Sequence, residues 1–300
     1  APNLYTDWGL KNFNAWSNSG FDNYLITPNR KIHRLLTRIA IDTIYHPFQP
    51  FMIGQKSVIP KIAAKLGIPL IFYGENEAEY GNSRQENDTA TRSWEYFSSE
   101  DKSKIYMSGV SIAELKDRYH LTDSDLSIYL PEDPKKLKQA NIDVRYLGYY
   151  LEWHPQGAYY YASEKAGFQA SPERTAGTYS KYHSIDDKID DFHFYTTYIK
   201  FGIGRASYDA AQEIRNGEID RQEGVALVKK FDGEYPDRYE KEIFAYLSIS
   251  RDEYGEVSKE FLQESFDRDY FEELTNRFRS PHLWKKADNY WKLRSTVYKD

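Results

Sequence analysis

Cysteine is absent from this 300-residue chain. That excludes disulfides, cysteine-bound zinc and a cysteine nucleophile within these residues. Apolar runs long enough to cross a membrane are missing too, and the opening APNLYTDWGL lacks the features of a signal peptide. The expectation is a soluble cytoplasmic protein with no membrane insertion. Basic residues are outnumbered: 40 Lys and Arg against 46 Asp and Glu leave a formal net charge of −6. Such a balance argues against nucleic acid as a partner, yet it allows a small anion held by a few placed cations.

What the chain has in abundance is aromatic residues, 16% of the total with 27 tyrosines. Tyrosine combines apolar bulk with a hydroxyl and suits cores, interfaces and stacking pockets alike. Charged residues make up 29%, a globular composition, and the length supports one large domain or two smaller ones.

The pattern predicts an α/β amino-terminal part. KIHRLLTRIAIDTIY reads as a helix with Ile32, Leu35, Leu36 and Ile39 on one face, and Arg34, Arg38 and Asp42 as a solvated, salt-bridged stripe on another. HPFQPFMIGQK reads as a turn and extended stretch, followed by a helix from Ser57 to Leu66 that Gly67 ends. Ile68 to Tyr73 then reads as a buried strand. Helix, glycine turn and apolar strand make half of a βαβ unit, so a parallel sheet is expected. Residues 83–134 read as an insertion over the sheet, and Ile142 to Trp153 as a return to strand. From there to the end the pattern is helical, with Ser184 as the N-cap of SIDDKIDDFHFYTTYIKFG. DAAQEIRNGEIDRQEGVALVKKF divides into two helices at Gly217, the second capped by Asp220 with Glu223 three residues on. The expected domains are 1–165 and 166–300.

Several stretches are candidates for chemistry. IPLIFYGENEAEYGN places Gly74, Glu75, Asn76, Glu77 and Glu79 after a strand, where open α/β sheets bind ligands. Glu75 and Glu79 are of the type that holds Mg²⁺, and a solvated acidic loop stands at even odds with a site. DDKIDD (Asp186 to Asp191), followed by His193, resembles an acidic metal motif. The preferred explanation is that a helix's first turn favours acids. KFGIGRAS sets Lys200 and Arg205 around two glycines before a helix, either an anion site built on backbone N–H groups or a tight helix–helix turn. The tail SPHLWKKADNYWKLRSTVYKD reads as a packed terminal segment rather than a nucleic-acid binder.

Taken in order, GFDNYLITPN, HRLLTR, HPFQPFMIGQK, IPLIFYGENEAEYGN, GTYSKYHSIDDKIDDFHFY, the run from IKFGIGRAS to FDGEYP, and PHLW resemble one family along almost the whole chain. It is the N-acetyl sugar amidotransferases of bacterial lipopolysaccharide and of pseudaminic- and legionaminic-type sugars, relatives of the PP-loop ATP pyrophosphatases. The resemblance implies a partial PP-loop parallel sheet flanked by helices, followed by a mainly helical region. It implies ATP and Mg²⁺ as cofactors and an acetamido sugar or nucleotide sugar as substrate. Ammonia would come from a separate glutaminase subunit, in keeping with the absence of cysteine. Gly74, Glu75, Asn76 and Glu79, with Gln55 and Lys56, are then expected at the nucleotide, and Glu75 and Glu79 at the metal. Lys200 and Arg205 are expected at pyrophosphate or sugar-nucleotide charge, and Lys181 and His193 at the sugar. The family's Ser-Gly-Gly-x-Asp-Ser phosphate loop has no counterpart, since the sequence contains no Gly-Gly pair. Ala1 aligns just after the second strand of that sheet, so a fragment is expected. Another PP-loop ligase or tRNA-modifying enzyme, or a non-catalytic assembly subunit, remain the alternatives.

Overall fold

The N-cap residues Thr6 and Asn29 accept hydrogen bonds from the first free N–H groups of helices α1 (Asp7–Ser17) and α2 (Arg30–Ile44). The computed structural model describes residues 4–80 and 89–298; Gly81, Asn82 and the first residues of the 83–134 segment lie outside them. Helix α3 spans Gln49–Leu66 and leads through Gly67 (φ 69°) into β1, Leu70–Tyr73. After β2 (Thr91–Arg92) come a small hairpin, β3 (Tyr106–Met107) and β4 (Val110–Ser111), and then α4 (Ile112–Asp117), α5 (Asp123–Leu126) and α6 (Pro134–Gln139). Strand β5 (Asp143–Tyr146) and α7 (Pro155–Lys165) complete the amino-terminal half. The remainder is α8 (Ile189–Phe201), α9 (Arg205–Arg215), α10 (Arg221–Phe231), α11 (Glu240–Leu247), α12 (Arg251–Tyr254) and α13 (Arg268–Phe278). A terminal hairpin, β6 (Trp284–Ala287) and β7 (Tyr290–Leu293), follows.

The fold is mixed α/β with a mainly helical carboxyl-terminal part, and its one parallel pair among the described residues is β1 with β5. The sheet order is β1-β5-β2, with Leu70 opposite Asp143 and Tyr73 opposite Tyr146. Strand β1 is less buried than its composition predicts. Ile71 packs with Val144, Ala63, Leu137 and Phe97, whereas Leu70 and Phe72 are 48% and 47% exposed. The described sheet ends at β1, and its core-facing side alone meets a hydrophobic cluster; the other face of a parallel pair is usually covered as well.

Four further expectations are corrected. Helix α3 begins eight residues before Ser57, so Gln55 and Lys56 sit on a helix rather than on an extended stretch. Pro50 permits this because it occupies the first turn, where its missing N–H has no intrahelical partner. Strand β5 gives way after Tyr146 to a 3₁₀ turn over Leu147–Tyr149 instead of running to Trp153. The 83–134 segment is not simply laid over the sheet. Its β2 pairs antiparallel with β5, while Met107, Leu115, Leu126 and Tyr129 form a core with Leu35, Leu36 and Ile39 of α2. Ser184 does not cap α8: Thr6 N donates to Asp186 O and Lys188 N to Leu4 O, so residues 4–6 pair with this stretch and the helix starts at Ile189.

The Arg34–Arg38–Asp42 stripe is also not solvated. Arg38 is fully buried, donating to Asp42 (2.9 Å), Leu247 O (3.0 Å) and Gln263 O (2.8 Å). Arg34 donates from Nε to Tyr246 O at 2.6 Å and from its terminal nitrogens to Ala245 O, Ser248 O and Glu253. Two cations of α2 thus satisfy carbonyls at the carboxyl end of α11, where a helix leaves its last C=O groups unpaired.

The later elements follow their sequence signals. Asp220 and Glu223 form a reciprocal capping box, and Gly217 takes φ 76° between α9 and α10. The tail is packed as expected: the Trp284 indole donates to Ile199 O at 2.7 Å, within a cluster that includes Phe192, Phe271 and Ile41. Since α2 supplies Ile41 and Tyr45 to this cluster and Leu35, Leu36 and Ile39 to the other, both cores meet on one helix.

Candidate functional site

The loop leaving β1 and the turn entering α8 carry acids close enough for their charges to interact. Glu75 is exposed, and its charge reaches Asp186. Asp186 is exposed, and the protein packed about it first, with Glu75 adding to the effect, raises its pKa. Asn76 and Glu79 are turned inward instead. The Asn76 N–H donates to Glu79 Oε2 (3.0 Å), the Asn76 side chain accepts from Ala78 N (3.2 Å), and the Glu79 carboxylate lies against the backbone at Gly148. The pair shapes the loop. Arg215 of α9 donates to Glu79 O at 2.8 Å and ties the loop to that helix. Gly74 is exposed beside Glu75.

Behind Asp186 lie more carboxyls. Asp187 is buried and accepts from Ile189 N at 2.9 Å; burial, with Asp186 adjacent, pushes it up to about 7. Asp190, in the first turn of α8, is raised well above the ordinary value by burial and by Asp186 and Asp187. Asp191 points to another side, toward Arg238 and Glu234, and burial lifts it to about 7 with Oδ2 unpaired. The helix-start explanation of these acids holds for Asp190 and Asp191, whereas Asp186 and Asp187 precede the helix, the first exposed and the second buried.

One turn on, His193 stacks against His46 (ring centroids 4.8 Å apart) and Phe48 (5.3 Å). Burial, with His46, Arg205 and Lys200 near, holds His193 well below its ordinary pKa, so it is a neutral imidazole. Arg205 lies over the Phe194 ring at 4.5 Å and donates from Nε to Asp209 Oδ1 at 2.9 Å. The other Asp209 oxygen accepts from the Thr178 hydroxyl at 2.6 Å. His183 Nδ1 is 3.2 Å from Asp209 Oδ1, within ion-pair reach but off the line of a hydrogen bond. Burial opposes ionisation of Asp209, yet Arg205 beside it, then His183 and Thr178, hold the carboxyl below its ordinary value.

The remaining sequence candidates are placed elsewhere. Lys200 Nζ donates to Ile44 O at 2.7 Å, capping the carboxyl end of α2, and burial lowers its pKa. Lys181 is exposed and donates to Pro172 O at 2.9 Å. Gln55 is exposed on α3, and Lys56 donates to Tyr96 OH at 3.0 Å. The backbone N–H groups read as an anion site at KFGIGRAS are taken: Asp232 accepts from Gly204 N and Ser207 N, both at 3.1 Å. This region is the tight helix–helix turn, capped by a carboxylate from the end of α10.

Thus Glu75, His193 and Arg205 are drawn toward the α8 acids, with Asn76 and Glu79 supporting them. Asp209, Thr178, His183 and His46 were not singled out in the sequence. The i, i+4 spacing of Arg205 and Asp209 on one helix is a signal that finds the first of these. The others come from distant loops and carry no local sign.

Helix α1 seats the acid turn. A Cβ at Gly9 would collide with the Asp186 carbonyl oxygen and lie 2.6 Å from Asp186 Cα. Both partners are backbone, so neither yields cheaply. Gly9→Ala is expected to cost about 1–3 kcal/mol and to shift the amide resonances of residues 185–188 in a ¹⁵N spectrum. An unchanged spectrum and stability would show that α1 does not seat this turn.

Among the described residues no group of three or more His, Cys, Asp or Glu side chains forms a metal site, and no helix is long and apolar enough to cross a membrane. No curated protein matches the chain. A family model described as the C-terminal domain of WbpG-like LPS biosynthesis proteins matches residues 176–298, which include the acid turn, α8, α9, Arg205 and Asp209. Residues 176–298 are thus similar to the C-terminal domain of WbpG-like LPS biosynthesis proteins, in keeping with the surface-polysaccharide family the chain's motifs resemble.

Proposed function

We propose that this protein takes part in an ATP-dependent, AMP-forming amidotransfer. The reaction converts the acetamido group of a sugar to an acetamidino group during LPS synthesis, with ammonia from a separate glutaminase. The observation that carries the reading is that the charge of Glu75, at the carboxyl end of a parallel strand, reaches Asp186, within the matched LPS-biosynthesis region. Carboxyl ends of parallel strands are where open α/β sheets take ligands.

Two interacting carboxylates suit a cation that brings most of its own shell. Mg²⁺ commonly takes one or two protein carboxylates and fills the rest with waters and phosphates. Glu75 and Asp186 would hold it, with Asp187 and Asp190 behind them adding negative potential. Bound there, Mg·ATP supplies the adenylyl group that makes an amide oxygen able to leave.

This chain's own residues do the positioning. Arg205 supplies fixed positive charge to phosphate oxygens. The neutral His193 and His46 rings, beside Phe48, give a polar and aromatic wall suited to an acetamido group.

The test is product analysis with the intact enzyme. AMP and pyrophosphate are expected only when acetamido sugar and ammonia are both present, and Glu75→Gln is expected to lower the rate about 100-fold. Release of ADP and phosphate, or sugar-independent turnover, would refute the reading.

A further inference from the structure

A cavity of about 300 Å³ opens between the carboxyl end of α8, the start of α9 and the tail that follows β7. It lies at the opposite end of α8 from Asp190. Tyr198, Phe201 and Tyr298 supply aromatic walls and Leu293 an apolar one, and Asp232 enters beside Ser207. The Asp232 carboxylate accepts from Gly204 N and Ser207 N, both at 3.1 Å, and from the Ser207 hydroxyl at 2.6 Å. All three donors are neutral, and among the described residues no Lys, Arg or His forms an ion pair with Asp232. Arg294 and His282 also line the cavity, but Arg294 is exposed and turns its Nε to Pro281 O at 2.7 Å. The Asp232 charge is felt across the space. Burial, then Tyr298 and Asp232, raise the pKa of Tyr198, and burial, then Asp232, raise that of Tyr298. Both phenols are therefore neutral at pH 7. Among the described residues neither hydroxyl makes a hydrogen bond, and neither is sealed from solvent.

We propose that this cavity binds a small organic cation with an apolar body, of the amidinium or guanidinium type. A carboxylate drawn out of water is ordinarily matched by a cation, and the protein's own cations do not pair with this one. The α9 amides offset it with partial charge only. Aromatic faces attract the same sign of charge, because the ring quadrupole places negative density on them. An anion would meet the Asp232 charge, and a neutral ligand would leave that charge uncompensated. The two free phenol oxygens accept N–H groups from a flat cation. An acetamidino group, the product of the reaction proposed above, is a cation of this class, but the chemistry of the cavity does not depend on that reaction.

The probes are benzamidine, a cation at neutral pH, and benzamide, which is neutral and of nearly the same shape. Titrated calorimetrically into the intact protein, benzamidine is expected to bind at least about tenfold more tightly than benzamide, the scale of one charge-assisted contact. Asp232→Asn removes the charge but keeps an acceptor, and is expected to weaken benzamidine about tenfold while benzamide stays within about twofold of the parent. Tyr298→Ala, on the tail rather than in a core, is expected to weaken benzamidine at least about threefold by removing one ring. Equal affinity for the two probes would overturn the proposal, as would absence of benzamidine binding by the parent. Benzamidine binding that neither variant weakens would place the cation elsewhere, at the acid turn for example, and refute this site. Unchanged binding by the Tyr298 variant would refute it even where the Asp232 variant fails to fold.

Discussion

Replacing Arg38 by methionine is expected to destabilise the protein by about 3–5 kcal/mol, the range for breaking a buried ion pair from one side. The guanidinium is fully buried and serves four partners: the Asp42 carboxylate and the carbonyls of Leu247, Gln263 and Glu264. Methionine fills much of the same volume but offers no donor. The buried Leu247 carbonyl then loses its partner, at a cost of about 1–3 kcal/mol where no rearrangement relieves it, and the part-buried Gln263 and Glu264 carbonyls lose theirs at less. Asp42 is the more sensitive partner. Its Oδ1 already lacks a hydrogen bond, and burial raises its pKa against the pull of Arg38, so without Arg38 it takes up a proton or remains a buried lone anion. The rings of Phe261, Phe266 and Tyr270, with centroids 5.0–5.2 Å from the guanidinium carbon, also lose their cation. Equilibrium urea unfolding measures the effect. A loss below about 1 kcal/mol would show that surface-type pairing, not a buried network, describes this site.

Ionisation of Asp187 and Asp191 is expected to draw stability down between pH 6.5 and pH 8, the reverse of the rise that salt-bridged carboxylates give. Asp187 and Asp191 are raised to about 7 by burial, and Asp190 well above its ordinary value. A raised carboxyl binds its proton more tightly in the folded state. Its contribution is full below the unfolded pKa near 4 and is lost as pH climbs through 7. Three histidines act oppositely. Burial lowers His33 and His46 to about 4 and His193 well below its usual value, so the folded state resists their protonation. Their contribution grows from about pH 4 and is complete only near pH 8. The two sets therefore oppose one another. Between pH 6.5 and 8 each histidine still returns about 0.4 kcal/mol as the unfolded state sheds its last imidazole protons, so the carboxyl effect is read as the difference between parent and variant. Asp187 and Asp191 together should cost about 1.5 kcal/mol between pH 6.5 and 8. The double variant Asp187→Asn, Asp191→Asn should remove that slope, which thermal unfolding across the range will report. Equal slopes in parent and variant would disprove the assignment.

The Arg34–Arg38 stripe shows how far local pattern reaches. An i, i+4 ladder of Arg, Arg and Asp is typical of a wet helix face, and nothing within α2 distinguishes it from a buried one. What buries it is the carboxyl end of α11, more than 200 residues away in the chain, which brings unpaired carbonyls to the same place. The DDKIDD run behaves in the same way. Its first-turn acids are legible from helix electrostatics. The placing of Asp186 within reach of the Glu75 charge depends on residues 4–6 pairing with 185–188.

By itself the sequence determined the elements whose causes are local. These are helix α2, the Gly67 and Gly217 stops, the Asp220–Glu223 capping box, a parallel strand pair, and the packing of the Trp-rich tail. Each depends on contacts a few residues apart or on an apolar pattern that must be buried somewhere. Tertiary structure alone decided which polar groups were buried and with what partners: Arg38 beneath α11, Asp232 on the α9 amides, Lys200 on Ile44 O, and Asp209 holding Arg205. The reason is physical. A buried polar group must find a partner wherever the fold brings one, and that partner carries no mark in the neighbouring sequence.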